Sequence, residues 1–242
     1  MIRIEKVAGR DVLMESDIPF LKLFRKGKVR EVYEIGEYLL IVATDRLSAF
    51  DVIMKTGIPD KGIYLTKQSS YWFKYIKNQG YKTHFVTDDI DEIVKITGEK
   101  RLLELEWLKG RGMLCKKAEV IPVEAVCRFR LYGSAVTALE TGTWIWDPIE
   151  AEGELKAGAV IKNGPVFTPT EKSETDDKIS FDQMVKIIGN EELASKIKKS
   201  TIDLFRMCNE HAKKNMGFEI ADGKVEYGTI NGELSIIDET FT

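Results

Sequence analysis

Charged side chains alternate along the C-terminal segment IADGKVEYG, residues 220–228. Asp222, Lys224 and Glu226 occupy every second position, and a further acid, Asp238, follows a few residues later. Alternate side chains of a β-strand point to the same face of the sheet, so the first three lie on one side. Carboxylates gathered without histidine suit a hard cation such as Mg²⁺, which prefers oxygen ligands. For this hairpin taken alone, a solvent-exposed charged face is the better-supported interpretation.

The connection TINGE decides whether Asp238 joins these charges. A two-residue loop, Asn231 and Gly232, would place Asp238 opposite Val225, away from the acids. A three-residue loop that begins one residue earlier, with Gly232 left-handed and a bulge, would place Asp238 opposite Lys224. We predict the three-residue loop, because it gathers three carboxylates around one ammonium.

A group of cations lies in RKGKVREVYEIG, residues 25–36. Gly27 permits close approach of the backbone to an anion, and Lys28 and Arg30 fall on the same side of the following strand. This arrangement suits a phosphate clamp. It is not a Walker A loop, because the GxxxxGK[ST] spacing is absent. A solvated basic edge strand explains the same pattern.

Three further stretches carry candidate site residues. ATDRLSAFDVIM brings Arg46, Ser48 and Asp51 to the end of a buried strand, where polar groups line a site or form a turn. In IPVEAVCRFRLYGSAV, Arg128 and Arg130 lie near the end of an apolar strand, and Gly133-Ser134 opens the next helix. That pairing favours an anion, and a plain N-cap is the alternative for the serine. In FTPTEKSETDDK, Lys172 is either a lid lysine over a nucleotide or a surface charge.

Composition restricts the partners and the chemistry. The chain has 242 residues, of which 43% are hydrophobic, enough for one large domain or two packed lobes. The net charge is −3 and the cations are dispersed, which argues against nucleic-acid or membrane partners. No signal peptide or membrane-spanning run is evident, so we expect a soluble, cytoplasmic protein, with a homo-oligomer left open. Three cysteines without CxxC spacing and two histidines give little support for a disulfide framework or a zinc site.

The elements that must position these residues are β-rich in the first half. Val29 to Ile35 and Tyr38 to Thr44 predict a hairpin at the edge of a buried sheet, and LTKQSSYWFKYIKNQG predicts a helix. GMLCKKAEVIPVEAVCRFR reads as a long strand interrupted at Pro122. Glu191 to Asn215 is predicted to form a long amphipathic helix. We predict an α+β protein with two lobes and a cleft between them: residues 1–120 carry the clamp, and residues 121–242 carry the metal and substrate sites.

Together these stretches resemble the SAICAR synthetase family, the phosphoribosylaminoimidazole-succinocarboxamide synthases of purine biosynthesis. The most distinctive patterns are the run from Ile121 to Ser134, with its proline, glutamate, arginine and Gly-Ser, and the segment from Ile220 to Gly228. GKVREVY, TDRLSAFD and the loop lysine at position 172 follow the family's order. Each motif alone is weak, but five in order over nearly the whole chain are specific.

The resemblance implies an ATP-dependent ligase that joins the carboxylate of CAIR (carboxyaminoimidazole ribonucleotide) to the amine of L-aspartate. The products would be SAICAR, ADP and phosphate, formed through an acyl phosphate. The implied fold has two α+β lobes similar to ATP-grasp and kinase-like proteins, with ATP and Mg²⁺ in the cleft. Such transfer depends on cations, metal and positioning rather than on a protein nucleophile.

The resemblance also implies roles for individual residues. The residues that resemble ATP contacts are Lys28, Arg30, Lys116, Glu119 and Lys172. Glu226 and Asp238 resemble the magnesium ligands, with Lys224 and Asp222 as the catalytic groups that support them. Asp51, Arg128 and Ser134 resemble the CAIR side of the site. Ser48 and Arg46 are assigned to the aspartate co-substrate.

Two departures from the family pattern stand out. Tyr132 replaces the small residue that usually precedes Gly-Ser. The family continues after its Asp-Glu pair with a Pro-Asp-Ser-type run, a phosphate-binding arginine and a further helix, whereas this sequence stops at Thr242, and we expect it to be incomplete there. Two other functions stay open: a small-molecule kinase on a related fold, and a catalytically idle nucleotide-binding module.

Overall fold

Antiparallel strands and helices make up both parts of the molecule. The computed structural model describes residues 1–49, 52–173 and 177–242. The chain divides into two compact units, residues 1–118 with Thr242, and residues 119–241. The mixture of helices and antiparallel sheets confirms the predicted α+β class.

The first unit is built on a five-stranded antiparallel sheet. Its strands and helices are β1 (Arg3–Val7), β2 (Arg10–Glu15), β3 (Lys22–Lys26), β4 (Arg30–Ile35), β5 (Tyr38–Ala43), β6 (Ser48–Ala49), β7 (Val52–Ile53), α1 (Lys61–Asn78), β8 (Phe85–Thr87), α2 (Ile90–Thr97) and β9 (Gly112–Lys116). Two short 3₁₀ segments, Lys100–Glu104 and Glu106–Leu108, precede β9. The sheet order is β3-β4-β5-β9-β8, while β1 pairs with β2 and β6 with β7.

Apolar side chains cover the sheet of the first unit. Tyr33, Leu40 and Val42 pack with Ile93 of α2 and neighbouring side chains in one buried cluster. Phe73 of α1 is fully buried and stacks on Phe85 with ring centroids 5.5 Å apart. The alternating pattern of β4 and the continuous apolar run of β5 therefore produce the predicted hairpin. The predicted place at the sheet edge is wrong, because β3 flanks β4 and β9 flanks β5.

The second unit carries a sheet in the order β11-β10-β13-β14, with β12 also paired to β10. Its elements are β10 (Glu119–Arg128), α3 (Ser134–Glu140), β11 (Val166–Phe167), β12 (Thr170–Glu171), α4 (Phe181–Ile188), α5 (Glu191–Met216), β13 (Asp222–Ile230) and β14 (Glu233–Ile237). Ser180 and Gln183 form a capping box that begins α4. None of the helices in the described ranges is long and apolar enough to cross a membrane.

Helix α5 covers one face of β13. Val225 and Tyr227 are buried, and the Tyr227 hydroxyl accepts a hydrogen bond from Thr201 of α5 at 3.1 Å. Gly223 lies against Phe205, whose ring would be 3.3 Å from an added Cβ. Because strand residues alternate between faces, this packing turns Asp222, Lys224 and Glu226 to the opposite face, as predicted from their spacing.

A bulge interrupts the pairing of β10 with β13. Val120 lies opposite Gly228 and Glu124 opposite Glu226, so four positions along β10 match two along β13. Pro122 lies inside this bulge, where its missing N–H removes no ladder hydrogen bond, and its carbonyl accepts from the Lys172 backbone N–H at 3.2 Å. The predicted break of the strand at Pro122 is therefore wrong: the strands separate at Lys117 and Ala118.

Candidate functional site

Six charged side chains follow one face of β10 and β13 in the second unit. The register places Arg128 opposite Asp222 and Glu124 opposite Glu226, with Lys224 between them on β13. Lys172, from the segment after β12, adds a second ammonium beside Glu226. These residues are named the charged row: Arg128, Asp222, Lys224, Glu124, Glu226 and Lys172.

Lys224 joins the two glutamates of the charged row. Its ammonium donates to Glu124 and lies 3.8 Å from a carboxylate oxygen of Glu226. Thr170 of β12 donates to the second oxygen of Glu124 at 3.2 Å. Burial lowers the pKa of Lys224, but the hydrogen bond that it donates to Glu124 and the surrounding carboxylates outweigh this effect and raise that pKa. Lys224 is therefore held as a cation.

Glu226 is the most constrained acid of the charged row. Burial raises the pKa of its carboxyl group, and the negative charge of Asp238 raises it further. Lys172 donates to the carboxylate, and the charges of Lys172 and Lys224 partly offset these effects. Two acids thus meet in a setting where water screens their repulsion poorly.

The predicted three-residue loop between β13 and β14 is wrong. Ile230 pairs with Glu233, so the loop contains only Asn231 and Gly232, both left-handed with φ of 52° and 76°. These are the dihedrals that a tight type I′ turn requires, and Asn-Gly is its preferred sequence.

Asp238 nevertheless lies near the other acids. The ladder ends at the pair Glu226–Ile237, and Asp238 adopts a left-handed backbone with φ of 64°. A continued strand would have placed its side chain opposite Val225, but the chain leaves the strand geometry at this residue. Its charge influences both Glu226 and Lys224. The two-residue loop, which we did not predict, is therefore the one observed. Asp238 lies near the acids because the strand ends at Ile237.

Arg128 organises the other end of the charged row. Its guanidinium donates to Asp222 at 2.8 Å and to the Ser134 hydroxyl at 3.0 Å. It also donates to the Thr168 hydroxyl at 3.1 Å and to the Tyr132 carbonyl at 3.3 Å. Burial lowers the pKa of Arg128, and the charge of Asp222 opposes that effect. Ser134 is the first residue of α3, follows Gly133 at the N-cap, and receives its hydrogen bond from Arg128.

Glu226 and Asp238 fit a divalent cation in the chemistry of their donors. Both supply carboxylate oxygens, and the charge of Asp238 acts on Glu226, so a bound cation would reduce the repulsion between the two acids. Within residues 1–49, 52–173 and 177–242, no group of three or more His, Cys, Asp or Glu side chains is placed to hold a metal. A pair of carboxylates suits Mg²⁺, which completes its shell with water and phosphate oxygens.

Four of the candidate nucleotide residues lie at strand ends or next to them. Lys28 is exposed in the turn before β4, and Arg30, the first residue of β4, is buried. Lys116 is the exposed last residue of β9. Glu119 begins β10 in the second unit, where it accepts a hydrogen bond from Thr229 at 3.2 Å. The structure shows the position and burial of these residues, and their contacts with ATP stay a prediction.

The residues assigned to substrates in the first unit have different environments. Arg46 is 2% exposed, and its guanidinium is bonded to groups of the same unit. Ser48 is half-buried at the start of β6, opposite Ile53. Asp51 lies outside the described residues. Arg46 is therefore buried and bonded to its own unit, as a structural residue is, and is not part of an exposed binding surface.

Glu124 was missed as a site residue. It is 6% exposed and lies in the run from Ile121 to Ser134, four residues before Arg128 and on the same face of β10. That spacing was a usable signal, since residues four apart in a strand share a face. It was overlooked because the bulge that places Glu124 opposite Glu226 cannot be read from the spacing alone.

The chain is similar to known proteins over most of its length. Residues 23–242 match the family model described as SAICAR synthetase. A phosphoribosylaminoimidazole-succinocarboxamide synthase of Thermodesulfovibrio yellowstonii is 41% identical over 236 residues, which are 96% of this chain and 77% of that protein.

Solved structures agree with the sequence matches. The SAICAR synthase of Saccharomyces cerevisiae, solved in complex with SAICAR, has a TM-score of 0.79 and is 32% identical over 95% of this chain and 76% of that chain. A type-2 SAICAR synthetase solved in complex with ADP has a TM-score of 0.69 at 20% identity, over 89% of this chain and 79% of that chain. The latter likeness concerns the fold alone.

Proposed function

We infer that the chain, which belongs to the SAICAR synthetase family, is an ATP-dependent carbon–nitrogen ligase of purine biosynthesis. It condenses CAIR with L-aspartate to give SAICAR, ADP and phosphate. The observation that carries this proposal is the match of residues 23–242 to the family, since that range contains every residue of the charged row. The use of ATP and the three free cysteines suit the cytoplasm, where we place the activity.

The reaction requires activation of a carboxylate. A carboxylate oxygen of CAIR attacks the γ-phosphorus of ATP, the bond to the bridging oxygen breaks, and ADP leaves. The aspartate nitrogen then attacks the carbonyl carbon of the acyl phosphate. Phosphate departs with the former carboxylate oxygen, and the amine releases a proton. Neither step needs a nucleophile from the protein, which agrees with a site made of carboxylates and cations.

Glu226 and Asp238 are the residues that would hold Mg²⁺ in this proposal. The ion, when bound, neutralises phosphate charge during transfer. Lys224 carries a fixed positive charge beside these acids, because Glu124 holds it from the other side. The Lys172 ammonium forms an ion pair with Glu226 in the structure. It becomes available for a phosphate when that carboxylate binds a cation. Asp222 accepts a hydrogen bond from Arg128, and this contact supports the pairing of β13 with β10.

Arg128 and Ser134 are proposed to bind the ribose phosphate of CAIR. A guanidinium has five N–H donors, and the four hydrogen bonds to Asp222, Ser134, Thr168 and Tyr132 fix its plane. Ser134 is exposed and held by Arg128, so its hydroxyl is available at the surface next to a fixed cation. This pairing of a rigid arginine with a hydroxyl suits a phosphate oxygen.

A coupled assay for ADP tests the proposed reaction. Sustained ADP release is expected only when CAIR and aspartate are both present, and SAICAR should accumulate in equal amount. Turnover with CAIR alone or aspartate alone would indicate a kinase or an ATPase instead. Binding of ATP without turnover under any combination would indicate an idle nucleotide-binding module. A Glu226→Gln variant serves as the negative control.

A further inference from the structure

The segment Gly27–Val29 is held by a buried arginine. The Arg46 guanidinium donates from Nε to the Lys28 carbonyl at 2.8 Å and from Nη2 to the Gly27 carbonyl at 3.0 Å. The next carbonyl, that of Val29, accepts from the Thr44 backbone N–H at 2.9 Å and from its hydroxyl at 2.7 Å. Three consecutive carbonyl oxygens are therefore engaged by two residues of the TDR sequence.

The opposite side of Arg46 is fixed as well. Nη1 donates to Glu31 at 2.7 Å and to the Met14 carbonyl. Glu31 is 1% exposed and also accepts from the Ser16 backbone N–H at 2.7 Å and from its hydroxyl. A planar guanidinium with fixed neighbours on both edges has one orientation, which a flexible ammonium cannot reproduce.

The hydrogen bonds to the three carbonyls affect how the exposed face of the Gly27–Val29 segment meets an anion. Carbonyl oxygens carry partial negative charge and repel a phosphate, whereas here those of residues 27–29 are bonded to buried donors. Gly27 closes the turn through its N–H, which donates to the Arg30 carbonyl at 2.7 Å. The lysine side chain between these anchors is exposed. The backbone is thus set so that an anion meets a cation and not carbonyl oxygens.

We propose that Arg46 is a positioning residue for Lys28: it fixes the Gly27–Val29 backbone and thereby presents the Lys28 ammonium to the phosphates of ATP. Arg46 does not contact the aspartate co-substrate in this assignment, which replaces the sequence-based expectation. The inference rests on the proposed nucleotide role of Lys28.

A neighbouring ion pair offers a matched control. Asp45 and Arg111 are also buried in the first unit and joined at 2.5 Å. Asp45 accepts from the backbone N–H groups of Leu13 at 2.8 Å and Gly62 at 2.9 Å, so this pair holds the start of α1 instead of the Gly27–Val29 segment. An Arg111→Lys change disturbs a comparable buried pair without loosening the Lys28 carbonyl.

The test compares Arg46→Lys, Arg111→Lys, Lys28→Met and the double variant Arg46→Lys/Lys28→Met. Melting temperature, kcat and the KM for each of ATP, CAIR and aspartate are measured. Arg46→Lys is expected to raise the KM for ATP about tenfold or more, because two charge-assisted hydrogen bonds to the segment are weakened, and to leave the KM for CAIR and aspartate unchanged. Arg111→Lys should lower the melting temperature with little effect on the KM for ATP. The double variant should be no worse than Lys28→Met alone, since Arg46 acts through Lys28.

Thr44→Val provides a milder variant if Arg46→Lys does not fold. It removes one hydrogen bond to the Val29 carbonyl and should raise the KM for ATP several-fold, more than Thr66→Val, which removes a buried hydroxyl bonded to the Arg111 carbonyl at 3.1 Å.

Four results would overturn the inference. In three of them, Lys28→Met raises the KM for ATP as expected. The first is that Arg46→Lys and Thr44→Val leave the KM for ATP unchanged, and the second is that these variants raise the KM for aspartate instead. The third is that the effects of Arg46→Lys and Lys28→Met on the KM for ATP add in the double variant. In the fourth, Lys28→Met itself leaves the KM for ATP unchanged, and the proposed nucleotide role of Lys28 fails together with the inference.

Discussion

Glu124 of β10 lies directly opposite Glu226 of β13, and both carboxylates are buried. Like charges that face each other across two strands destabilise a sheet. Here Lys224 donates to Glu124 and lies close to Glu226, and Lys172 donates to Glu226 from the other side. The sheet therefore tolerates the two acids only while the two ammonium groups are present.

Lys224→Met should make stability strongly dependent on pH. Without this ammonium, the pKa of the buried Glu226 carboxyl rises further above its ordinary value, because burial and Asp238 already raise it. A carboxyl with a raised folded pKa contributes stability below its unfolded pKa and loses it as pH rises through the folded pKa. The variant should thus be near wild type in mild acid and less stable by about 1–3 kcal/mol at pH 8. Thermal unfolding at several pH values measures this.

The control for that experiment is Lys199→Met, which removes an exposed lysine paired with Asp203. It should change stability little at any pH, since exposed ion pairs contribute at most about 1 kcal/mol. A second change, Glu124→Gln, should restore part of the lost stability in the Lys224→Met background. Parallel pH profiles for Lys224→Met and wild type would contradict the role of Lys224.

Glu226→Gln and Asp238→Asn should separate function from stability. Either change removes one of two negative charges that repel each other, so the melting temperature at pH 7 should stay equal or rise. Magnesium-dependent ATP binding should be lost in both, with turnover reduced by about 100-fold or more. Calorimetric titration with ATP, with and without Mg²⁺, measures the effect. Glu171→Gln, an exposed acid of β12, is the matched control, and unchanged nucleotide affinity in both site variants would refute the metal assignment.

Arg128→Lys should weaken binding of CAIR while leaving ATP binding intact. A lysine cannot keep hydrogen bonds to Asp222, Ser134 and Thr168 at once, so the Ser134 hydroxyl loses its fixed partner. The KM for CAIR is expected to rise about tenfold or more, in keeping with the loss of a charged hydrogen bond. Steady-state kinetics with each substrate varied in turn measure the change.

Arg130→Lys is the comparison for Arg128→Lys. Arg130 is a nearby, more exposed arginine whose guanidinium pairs with Glu219. Its replacement should leave all three KM values near wild type. An equal rise in the KM for CAIR in both variants would mean that general loss of positive charge, and not the geometry at Arg128, is responsible.

The three cysteines should be unreactive in the folded protein. Cys115, Cys127 and Cys208 are free and buried, and burial raises the pKa of the thiols of Cys127 and Cys208, which suppresses the reactive thiolate. Ellman's reagent should detect almost no thiol in the native state and three per chain in denaturant. Rapid labelling of one or more thiols without denaturant would contradict their buried placement.

Hydrophobic periodicity predicted the elements whose packing it reflects. The hairpin of β4 and β5, the helix α1 and the long helix α5 all bury a continuous face, and each was expected close to its observed place. β1 was not predicted, because RIEKV is largely exposed and shows no core pattern. α2 was also missed, although Asp89 caps it and Gly98 ends it.

The candidate site was only partly accessible from sequence. Strand spacing correctly placed Asp222, Lys224 and Glu226 on one face, since that depends on local geometry alone. The place of Asp238 depends on a left-handed residue at a strand end, and that of Glu124 on a bulge. Both are irregularities stabilised by tertiary contacts, which periodicity does not reveal.

The bulge around Pro122 makes the site depend on the length of β10. If β10 kept the register that it has at Glu119 and Val120, Glu124 would face Lys224, and Pro122 would face Glu226. Because the extra residues number two, every side chain stays on its own face while its partner across the sheet changes. A single inserted or deleted residue here would turn Glu124 and Arg128 toward α5, whereas a change of two would keep the core intact and rearrange only the charges. The number of residues in this short segment therefore determines which charges of β10 and β13 face each other.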